Sequence, residues 1–175
     1  VLFGGVNPSG KLPVTVPRHV GQLPMYYNHP PSRSARGRGY VDMKATPLWE
    51  FGHGLSYTSF EYSGLRISPR EVAADGSVRI SLRVKNTGGR AGAEVVQLYL
   101  TDVLSSVTRP VRELRGFEKV RLETGEDKEV AFTLDSRDFG LYGEDGKWIV
   151  EPGAFEVQAG ASSADIRLKD SFTVR

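Results

Sequence analysis

Hydrophobic and polar residues alternate through much of the chain after residue 56, and this alternation predicts β-strands. In Ser77–Asn86, apolar side chains occupy every second position and charged or polar side chains lie between them. A strand with that pattern buries one face and exposes the other to water. Residues 93–101 are apolar enough to predict a central strand.

Further segments repeat the alternation less regularly, and turn residues separate them. The additional predicted strands are residues 60–67, 112–122, 128–134, 147–150, 154–159 and 166–174. Asp145 followed by Gly146, between two short strands, is typical of a β-hairpin. Seven or eight short strands and no helical window predict a mainly β fold, a two-sheet sandwich of the immunoglobulin or fibronectin type III kind.

Residues 1–56 differ in composition from the rest of the chain. They hold seven of the ten prolines, all three histidines, and six basic against two acidic side chains. Because proline interrupts helices, we expect an extended, Pro/Gly-rich segment with at most a short strand at residues 12–16. A free loop of this length is unusual inside one domain, so we expect the segment to pack over a surface. The predicted division is 1–56, an incomplete domain and linker, and 57–175, the sandwich.

Composition excludes several classes of protein. The chain has 175 residues, with 23 basic and 21 acidic side chains, and a net charge of +2 is too small to indicate nucleic acid or membrane binding. Cysteine is absent, which excludes disulfide scaffolds, thiolate nucleophiles and cysteine-ligated metals. No apolar run is long enough to predict a transmembrane helix. Because the first residue is Val1, we expect a piece of a longer protein.

Residues 5–11 match the phosphate-loop pattern G-x-x-x-x-G-K, but the match fails at two points. Leu12 follows the lysine, where Ser or Thr must hold magnesium, and Pro8 removes a backbone donor from the cradle. A tight turn explains the same residues, because Asn-Pro and Ser-Gly pairs both favour turns.

Other candidate groups also have simpler structural interpretations. The histidines, His19, His29 and His53, match no local metal-ligand spacing. Arg33, Arg36 and Arg38 lack the interleaved aromatic residues expected of a nucleic acid-binding arm. Serines at positions 9, 56 and 59 lack the nucleophile motif G-x-S-x-G.

Paired carboxylates are the signature of glycoside hydrolysis, and several acidic residues are therefore candidates. These are Asp102, Glu113, Asp135, Asp138, Glu144 and Asp145. All lie at predicted strand edges or in charged turns, and none lies in a clearly apolar setting that would raise its pKa. Surface charge and turn formation explain them.

Aromatic residues are concentrated where the two parts of the chain meet. The cluster consists of Trp49, Phe51, Tyr57, Phe60 and Tyr62. Such side chains, and Trp148 further along, stack on sugar rings in some proteins, but dense aromatic groups more often anchor a core or an interdomain seam.

Five sequence segments carry long motifs in a fixed order: 7–15, 21–29, 46–60, 109–120 and 151–155. They resemble the end of the second domain and the C-terminal fibronectin type III-like domain of family 3 glycoside hydrolases. The resemblance runs almost end to end and is closest to bacterial β-glucosidases, with β-xylosidases next. Residues 1–56 then correspond to the tail of the α/β sandwich domain and its linker.

The resemblance implies a parent enzyme that removes terminal β-linked glucosyl residues by a retaining, two-carboxylate mechanism without a cofactor. Its nucleophile and acid/base lie in an upstream barrel and in the α/β domain, so no catalytic residue is assigned to this chain. The expected partners are those upstream domains and, for the parent, oligo- or aryl-β-glycosides. The family also implies a periplasmic or secreted protein. An independent carbohydrate-binding or protein-interaction module remains the alternative.

Six residues are the candidate structural connector in this interpretation. They are Trp49, Phe51, Gly52, Gly54, Leu55 and Tyr57. We expect the two glycines to adopt positive φ and let the backbone turn sharply. The four flanking side chains are then expected to bury against the sandwich, so that the connector is fixed and holds the sandwich at one angle to the catalytic domains.

Overall fold

The computed structural model describes residues 1–31 and 42–175, and two facing sheets form the predicted sandwich. Arg33, Arg36 and Arg38 lie outside the described residues. The strands are β1 (Phe60–Ser68), β2 (Glu71–Val72), β3 (Ser77–Asn86), β4 (Gly92–Asp102), β5 (Glu113–Leu122), β6 (Asp127–Asp135), β7 (Leu141–Tyr142), β8 (Trp148–Ile149), β9 (Gly153–Gly160) and β10 (Ile166–Val174).

One sheet has three strands in the order β1-β3-β6, and the other has five in the order β2-β10-β9-β4-β5. The strands β7 and β8 form a separate short hairpin. All pairs in the large sheet are antiparallel except β2 with β10, which is parallel. The mainly β, two-sheet fold predicted from the alternation is confirmed.

The core lies between the two sheets and is built from the apolar positions of the alternating strands. Val78, Ile80 and Leu82 of β3 are almost fully buried. They face the apolar side of β4 and β9, whose alternate residues include Leu98 and Val157. This arrangement explains why the period-two pattern in β3 is so regular, since its other face meets water.

The structure contains one short helix, α1 (Ser136–Phe139), where the sequence predicted no helix. Asp135 caps it by accepting a hydrogen bond from the Arg137 backbone, and Asp138 accepts one from the Asp135 backbone at 2.9 Å. Phe139 is fully buried beside other core aromatics. Within residues 1–31 and 42–175, no helix has the length and apolar character needed to cross a membrane.

Within residues 1–31 and 42–56, the N-terminal segment contains a 3₁₀ turn (Val20–Gln22) and no strand. The sequence predicted at most a short strand at residues 12–16, and the structure has an isolated bridge between Val16 and Trp49 there. Two further backbone bonds, from Leu12 to His53 and from Gly52 to Leu12, are each 2.8 Å long. Proline at positions 13 and 17 removes the donors that a longer ladder requires.

The strand β2 is only two residues long and lies beside β10 at one edge of the large sheet. Ion pairs at its two ends hold it in place. Arg70 donates to both carboxylate oxygens of Asp170, at 2.8 and 2.6 Å, and Arg175 pairs with Glu71.

Asn86 is a fully buried polar residue at the end of β3, and its side chain organises the surrounding turns. Its amide nitrogen donates to the carbonyls of Arg90 at 2.8 Å and Leu122 at 3.2 Å. Its oxygen accepts from the Thr58 hydroxyl at 2.7 Å and the Gly88 backbone at 3.1 Å. The hydrogen-bonding capacity of the amide is therefore filled.

We predict that Asn86→Ala lowers the free energy of unfolding by roughly 2–4 kcal/mol, because it leaves several buried groups without partners. Urea denaturation measures the change. Lys85→Ala, at the exposed neighbouring position of β3, is the control and should change stability by less than about 0.5 kcal/mol. Equal losses in the two variants would contradict the role assigned to Asn86.

Candidate functional site

Strand β4 is buried on both of its faces, as is the second half of the neighbouring β9. Leu98 and Leu100 face the core between the sheets. The residues between and before them, Tyr99 and Gln97, point to the opposite face and are only 0% and 3% exposed. On β9, Gln158 of the same outer face is also buried. Something other than the second sheet must therefore cover the outer face.

The N-terminal segment provides that cover through a set of aromatic contacts. Tyr27 stacks on Phe51 with ring centroids 4.1 Å apart and meets the edge of Tyr99 at 6.0 Å. The Tyr27 hydroxyl accepts a hydrogen bond from the Leu114 backbone at 3.2 Å. Burial raises the pKa of the Tyr99 hydroxyl, which keeps it protonated. We call this contact the connector seam, formed by Tyr27, Phe51 and Gly52 against Gln97 and Tyr99.

The side chain of Gln97 fixes the backbone of the connector. Its amide nitrogen donates to the carbonyl of Gly52 at 3.2 Å and to that of Ala161 at 2.7 Å. Its oxygen accepts a 2.5 Å hydrogen bond from the Tyr99 hydroxyl. In addition, the Ser163 backbone donates to the carbonyl of Phe51 at 3.0 Å. These bonds join the connector to β4 and to the turn after β9.

The two predicted glycines are required, but for different reasons. Gly52 has φ of +80°, as expected, and a Cβ there would overlap the side-chain amide of Gln97. The expectation of a positive φ is wrong for Gly54, since the positive-φ glycines of the described chain do not include it. A Cβ at Gly54 would instead overlap the carbonyl of Gly10, so the residue allows two chain segments to approach closely.

Among the four flanking side chains, the structure brings only Phe51 into the seam. The expected burial against the sandwich is wrong for Trp49, Leu55 and Tyr57, which are 43%, 72% and 44% exposed. The indole of Trp49 stacks on His53 at 4.6 Å, and the Tyr57 hydroxyl donates to the carbonyl of Val1 at 2.8 Å.

Residues 5–11, which partly match the phosphate-loop pattern, also hold the connector in place. The Nζ of Lys11 lies 2.9 Å from the carboxylate of the buried Glu94 on β4. Asn7 donates to the carbonyl of Ala91 at 2.9 Å and accepts from the Tyr57 backbone at 2.8 Å. The lysine and the asparagine therefore bind protein groups, which agrees with a structural interpretation of this motif.

The three histidines have separate local partners. His19 caps the 3₁₀ turn through Nδ1, and His29 Nδ1 lies 2.9 Å from the carbonyl of Pro30. His53 lies against Trp49 and 3.9 Å from the Glu50 carboxylate. No three His, Asp or Glu side chains are grouped as metal ligands in the part of the chain that the structure describes.

Most candidate carboxylates are held by basic partners or by turns. Glu113 pairs with Arg109 at 2.7 Å and Arg115 at 3.0 Å. Hydrogen bonds from Arg137 lower the pKa of Asp135 to about 2, and those from Lys147 lower the pKa of Asp145. Asp138 completes the cap of α1, and Glu144 is exposed. The hydrogen bonds to Asp135 and Asp145 stabilise their ionised forms, and none of the five carboxylates lies in the apolar environment of a general acid.

Asp102 is the exception to the expectation that no carboxylate has a raised pKa. Burial raises its pKa, although the nearby Arg109 acts in the opposite direction. One oxygen of its carboxylate is buried without a hydrogen-bond partner among the described residues. Asp102 is the last residue of β4 and is partly buried.

Comparison with known proteins places this architecture in a family. The glycosyl hydrolase family 3 C-terminal domain matches residues 1–57, and the fibronectin type III-like domain matches residues 94–163. A thermostable β-glucosidase B of Acetivibrio thermocellus is 48% identical over 99% of this chain and 24% of its own length. The chain belongs to glycosyl hydrolase family 3.

Other relatives support the same assignment for this family 3 chain. A periplasmic β-glucosidase of Salmonella typhimurium is 44% identical over 95% of the chain and 23% of its own length. A β-xylosidase of Formosa agariphila is 43% identical over 100% of the chain and 24% of its own length. The family 3 chain thus spans about a quarter of the length of the curated relatives it matches.

Solved structures agree in fold as well as in sequence. A β-glucosidase from Erythrobacter marinus superposes with a TM-score of 0.93 and is 48% identical, over 100% of this chain and 23% of that one. The described segment before the sandwich and the sandwich itself therefore correspond to the C-terminal part of family 3 proteins.

Sequence reasoning missed the residues of the family 3 chain that receive the connector. Gln97, Tyr99 and Glu94 lie on β4, and the sequence shows them only as a strand with weak alternation. A sequence signal for the covered outer face was nevertheless present. Residues 95–100 are apolar except for a glutamine and a tyrosine, and a strand that lacks regular alternation is typical of burial on both faces. Tyr27, in the proline-rich part, carried no local signal of its contact with Phe51.

We predict that Gly52→Ala lowers the free energy of unfolding by roughly 2–5 kcal/mol. The Cβ adds backbone strain at positive φ and displaces the buried amide of Gln97. Gly125→Ala is a matched control, because Gly125 has φ of +77° and no atom lies within 4 Å of the position that its Cβ would occupy. In the Gly125→Ala control, the free energy of unfolding should fall only by the cost of backbone strain, about 1–2 kcal/mol. Chemical denaturation of both variants measures the difference.

We predict that ionisation of Asp102 lowers the stability of the folded protein. The loss should occur as the pH rises from the ordinary pKa of an aspartate to the raised pKa of Asp102. The folded state binds the proton more tightly than the unfolded state, so the ionised form, present at neutral pH, disfavours folding. Asp102→Asn should therefore raise the Tm at pH 7 and leave it almost unchanged at pH 3. Asp135→Asn is the contrasting variant, since its lowered pKa predicts a lower Tm at pH 7.

Proposed function

We propose that this chain is the accessory, C-terminal portion of a β-glucosidase-like glycoside hydrolase, and that its sandwich braces the connector to the catalytic domains. The observation that carries the proposal is the connector seam. An isolated sandwich does not need a second buried face on its central strand, whereas a brace does. In β4 that face is covered by Tyr27, Phe51 and Gly52.

The proposed parent enzyme removes terminal β-D-glucosyl residues from oligo- or aryl-β-glycosides with retention of configuration. Support comes from relatives named β-glucosidases that match nearly the whole chain. The alternative parent activity is that of a β-xylosidase, because a relative with that name is almost equally similar.

The chain by itself is proposed to be inactive, because its carboxylates serve structural roles. Glu94 and Glu113 are paired with basic residues, and Asp135 caps a helix. The partly buried Asp102 lies near Arg109, and its acidic neighbours Glu113 and Glu151 are themselves bonded to Arg109 and Ser106. The nucleophile and the acid/base are proposed to lie in the upstream barrel and α/β domains.

Those upstream domains are the proposed partners of the connector. Residues 1–56 form the tail of the α/β domain and the linker, and 57–175 form the sandwich. Apolar side chains exposed near the start of the chain, among them Leu2, Phe3 and Val6, provide a surface for packing. Exposed Trp49, Leu55 and Tyr57 are proposed to pack in the same direction and complete the connector with Phe51, Gly52 and Gly54.

A periplasmic or secreted location is proposed from the periplasmic relative of Salmonella typhimurium. The absence of cysteine is compatible with that compartment. Fractionation of cells that produce the full-length protein tests this part of the proposal.

The activity proposal is tested by comparing the purified chain with the full-length parent on p-nitrophenyl β-D-glucoside and β-D-xyloside. We expect no turnover by the chain above buffer, and turnover by the parent with a higher kcat/KM for the glucoside. Reproducible turnover by the repurified chain would refute the accessory role, and a preference for xyloside would select the alternative activity.

The brace is tested in the full-length parent with Gln97→Leu, which removes the amide bonded to Gly52 and Ala161. Because buried groups lose their partners, we expect the temperature of half-inactivation to fall by several degrees. The kcat at 25 °C should stay within about twofold. The control is Glu118→Leu at an exposed position of β5, which should leave both quantities unchanged. A normal half-inactivation temperature in Gln97→Leu would contradict the brace.

An exposed aromatic pair favours a second candidate function, binding of a β-glucan chain. Tyr142 and Trp148 on the β7-β8 hairpin are 66% and 46% exposed, with ring centroids 5.0 Å apart. Half-exposed rings of this kind stack on sugar faces. Titration of the chain with soluble β-glucan tests it, with Trp148→Ala as the matched variant. Absence of binding at saturating glucan would exclude this second function.

A further inference from the structure

A pocket lies where the connector meets one end of the sandwich, with a volume of about 280 Å³. We call it the connector pocket. Its lining comes from the connector, from the start of β4 and from the turn between β9 and β10. The residues used below are Ser9, Lys11, Ser59, Glu94, Asp165 and Arg167. The volume is at the small end of ligand sites and suits a molecule smaller than a typical drug.

The charged groups that line the connector pocket neutralise one another in pairs. Lys11 lies 2.9 Å from Glu94, and Arg167 lies 2.8 Å from Asp165. The hydrogen bond from Arg167 lowers the pKa of Asp165, so this carboxylate is ionised at neutral pH. With two cations balanced by two anions, the pocket favours a neutral ligand over an anion or a metal cation.

Hydroxyl groups supply much of the remaining polar lining. The side chains of Ser9 and Ser59 have no hydrogen-bond partner among residues 1–31 and 42–175. A hydroxyl both donates and accepts, and carboxylates and basic groups add strong acceptors and donors. This mixture suits a ligand that carries several hydroxyl groups of its own.

Tyr62 of β1 lies next to one lining residue but does not itself line the connector pocket. The guanidinium of Arg167 lies over the Tyr62 ring, 4.8 Å from its centroid. Arg167 also donates to both carboxylate oxygens of Asp165. These contacts hold the arginine and the aspartate in fixed positions at the wall of the pocket.

We propose that the connector pocket binds a small neutral polyol of monosaccharide size, whose hydroxyl groups bond to Asp165, Arg167, Ser9 and Ser59. The ligand would contact both the connector and the sandwich, so its binding would stabilise their association. The site is separate from the Tyr142–Trp148 pair and requires no catalytic residue. Only the choice of D-glucose as a probe rests on the proposed function.

The test is a titration of the 175-residue chain, in which backbone amide NMR shifts are followed as D-glucose, myo-inositol or glycerol is added. We expect saturable shifts at Ser162, Asp165 and Ser59, with a Kd on the order of millimolar for the two larger polyols. Glucuronate and glucosamine, which carry a net charge, should bind at least fivefold more weakly. Trp148→Ala should leave these shifts unchanged, which separates the pocket from the second candidate function.

Asp165→Asn and Asp170→Asn form a matched pair of variants. Both carboxylates bond to an arginine and both have a lowered pKa, but only Asp165 lines the connector pocket. We expect Asp165→Asn to weaken polyol binding about fivefold or more, as for one lost charge-assisted hydrogen bond, and Asp170→Asn to leave it unchanged. Equal effects of the two substitutions would overturn the proposal.

Unaltered polyol binding in Asp165→Asn would show that the polyol binds elsewhere. Absence of saturable shifts in the wild-type chain at 100-fold the expected Kd would also overturn the proposal and assign the pocket to water.

Discussion

The architecture depends on one buried amide, the side chain of Gln97, which lies on the outer face of a strand whose inner face already belongs to the core. An amide in that position is stable only if its donors and acceptor are used, and they are used by Gly52, Ala161 and Tyr99. The connector and the sandwich therefore fold against each other. Removal of either one exposes polar groups of the other that have no alternative partners.

Contacts on both sides of Gln97 also join the N-terminal segment to the sandwich. Toward one side, stacking of Tyr27 on Phe51 excludes water from the amide, which strengthens its hydrogen bonds. Toward the other side, Lys11 contacts Glu94 near the start of β4. The charged pair is nearly buried, so its geometry orders the chain more than it adds net stability. This contact fixes the N-terminal segment relative to β4.

The sequence allowed the sandwich to be predicted but not the contact that gives it a role. The alternation in β3 predicts a strand, because the polarity of each residue indicates whether its side chain is buried or exposed. The pairing of Phe51 with Tyr27, or of Gly52 with Gln97, joins residues far apart in sequence, and no local pattern reports it. Short elements such as α1 and β7 were missed for a related reason, since two to four residues cannot display a period.

The two-residue strand β2 has a consequence for how the molecule avoids self-association. A long strand such as β10, left at the border of a sheet, would present a row of free amides and carbonyls as a template for another chain. Parallel pairing with β2 occupies part of that row, and the flanking Arg70–Asp170 and Arg175–Glu71 pairs surround it with charge. A very short border element is thus a safeguard against amyloid-like growth at this end of the sheet.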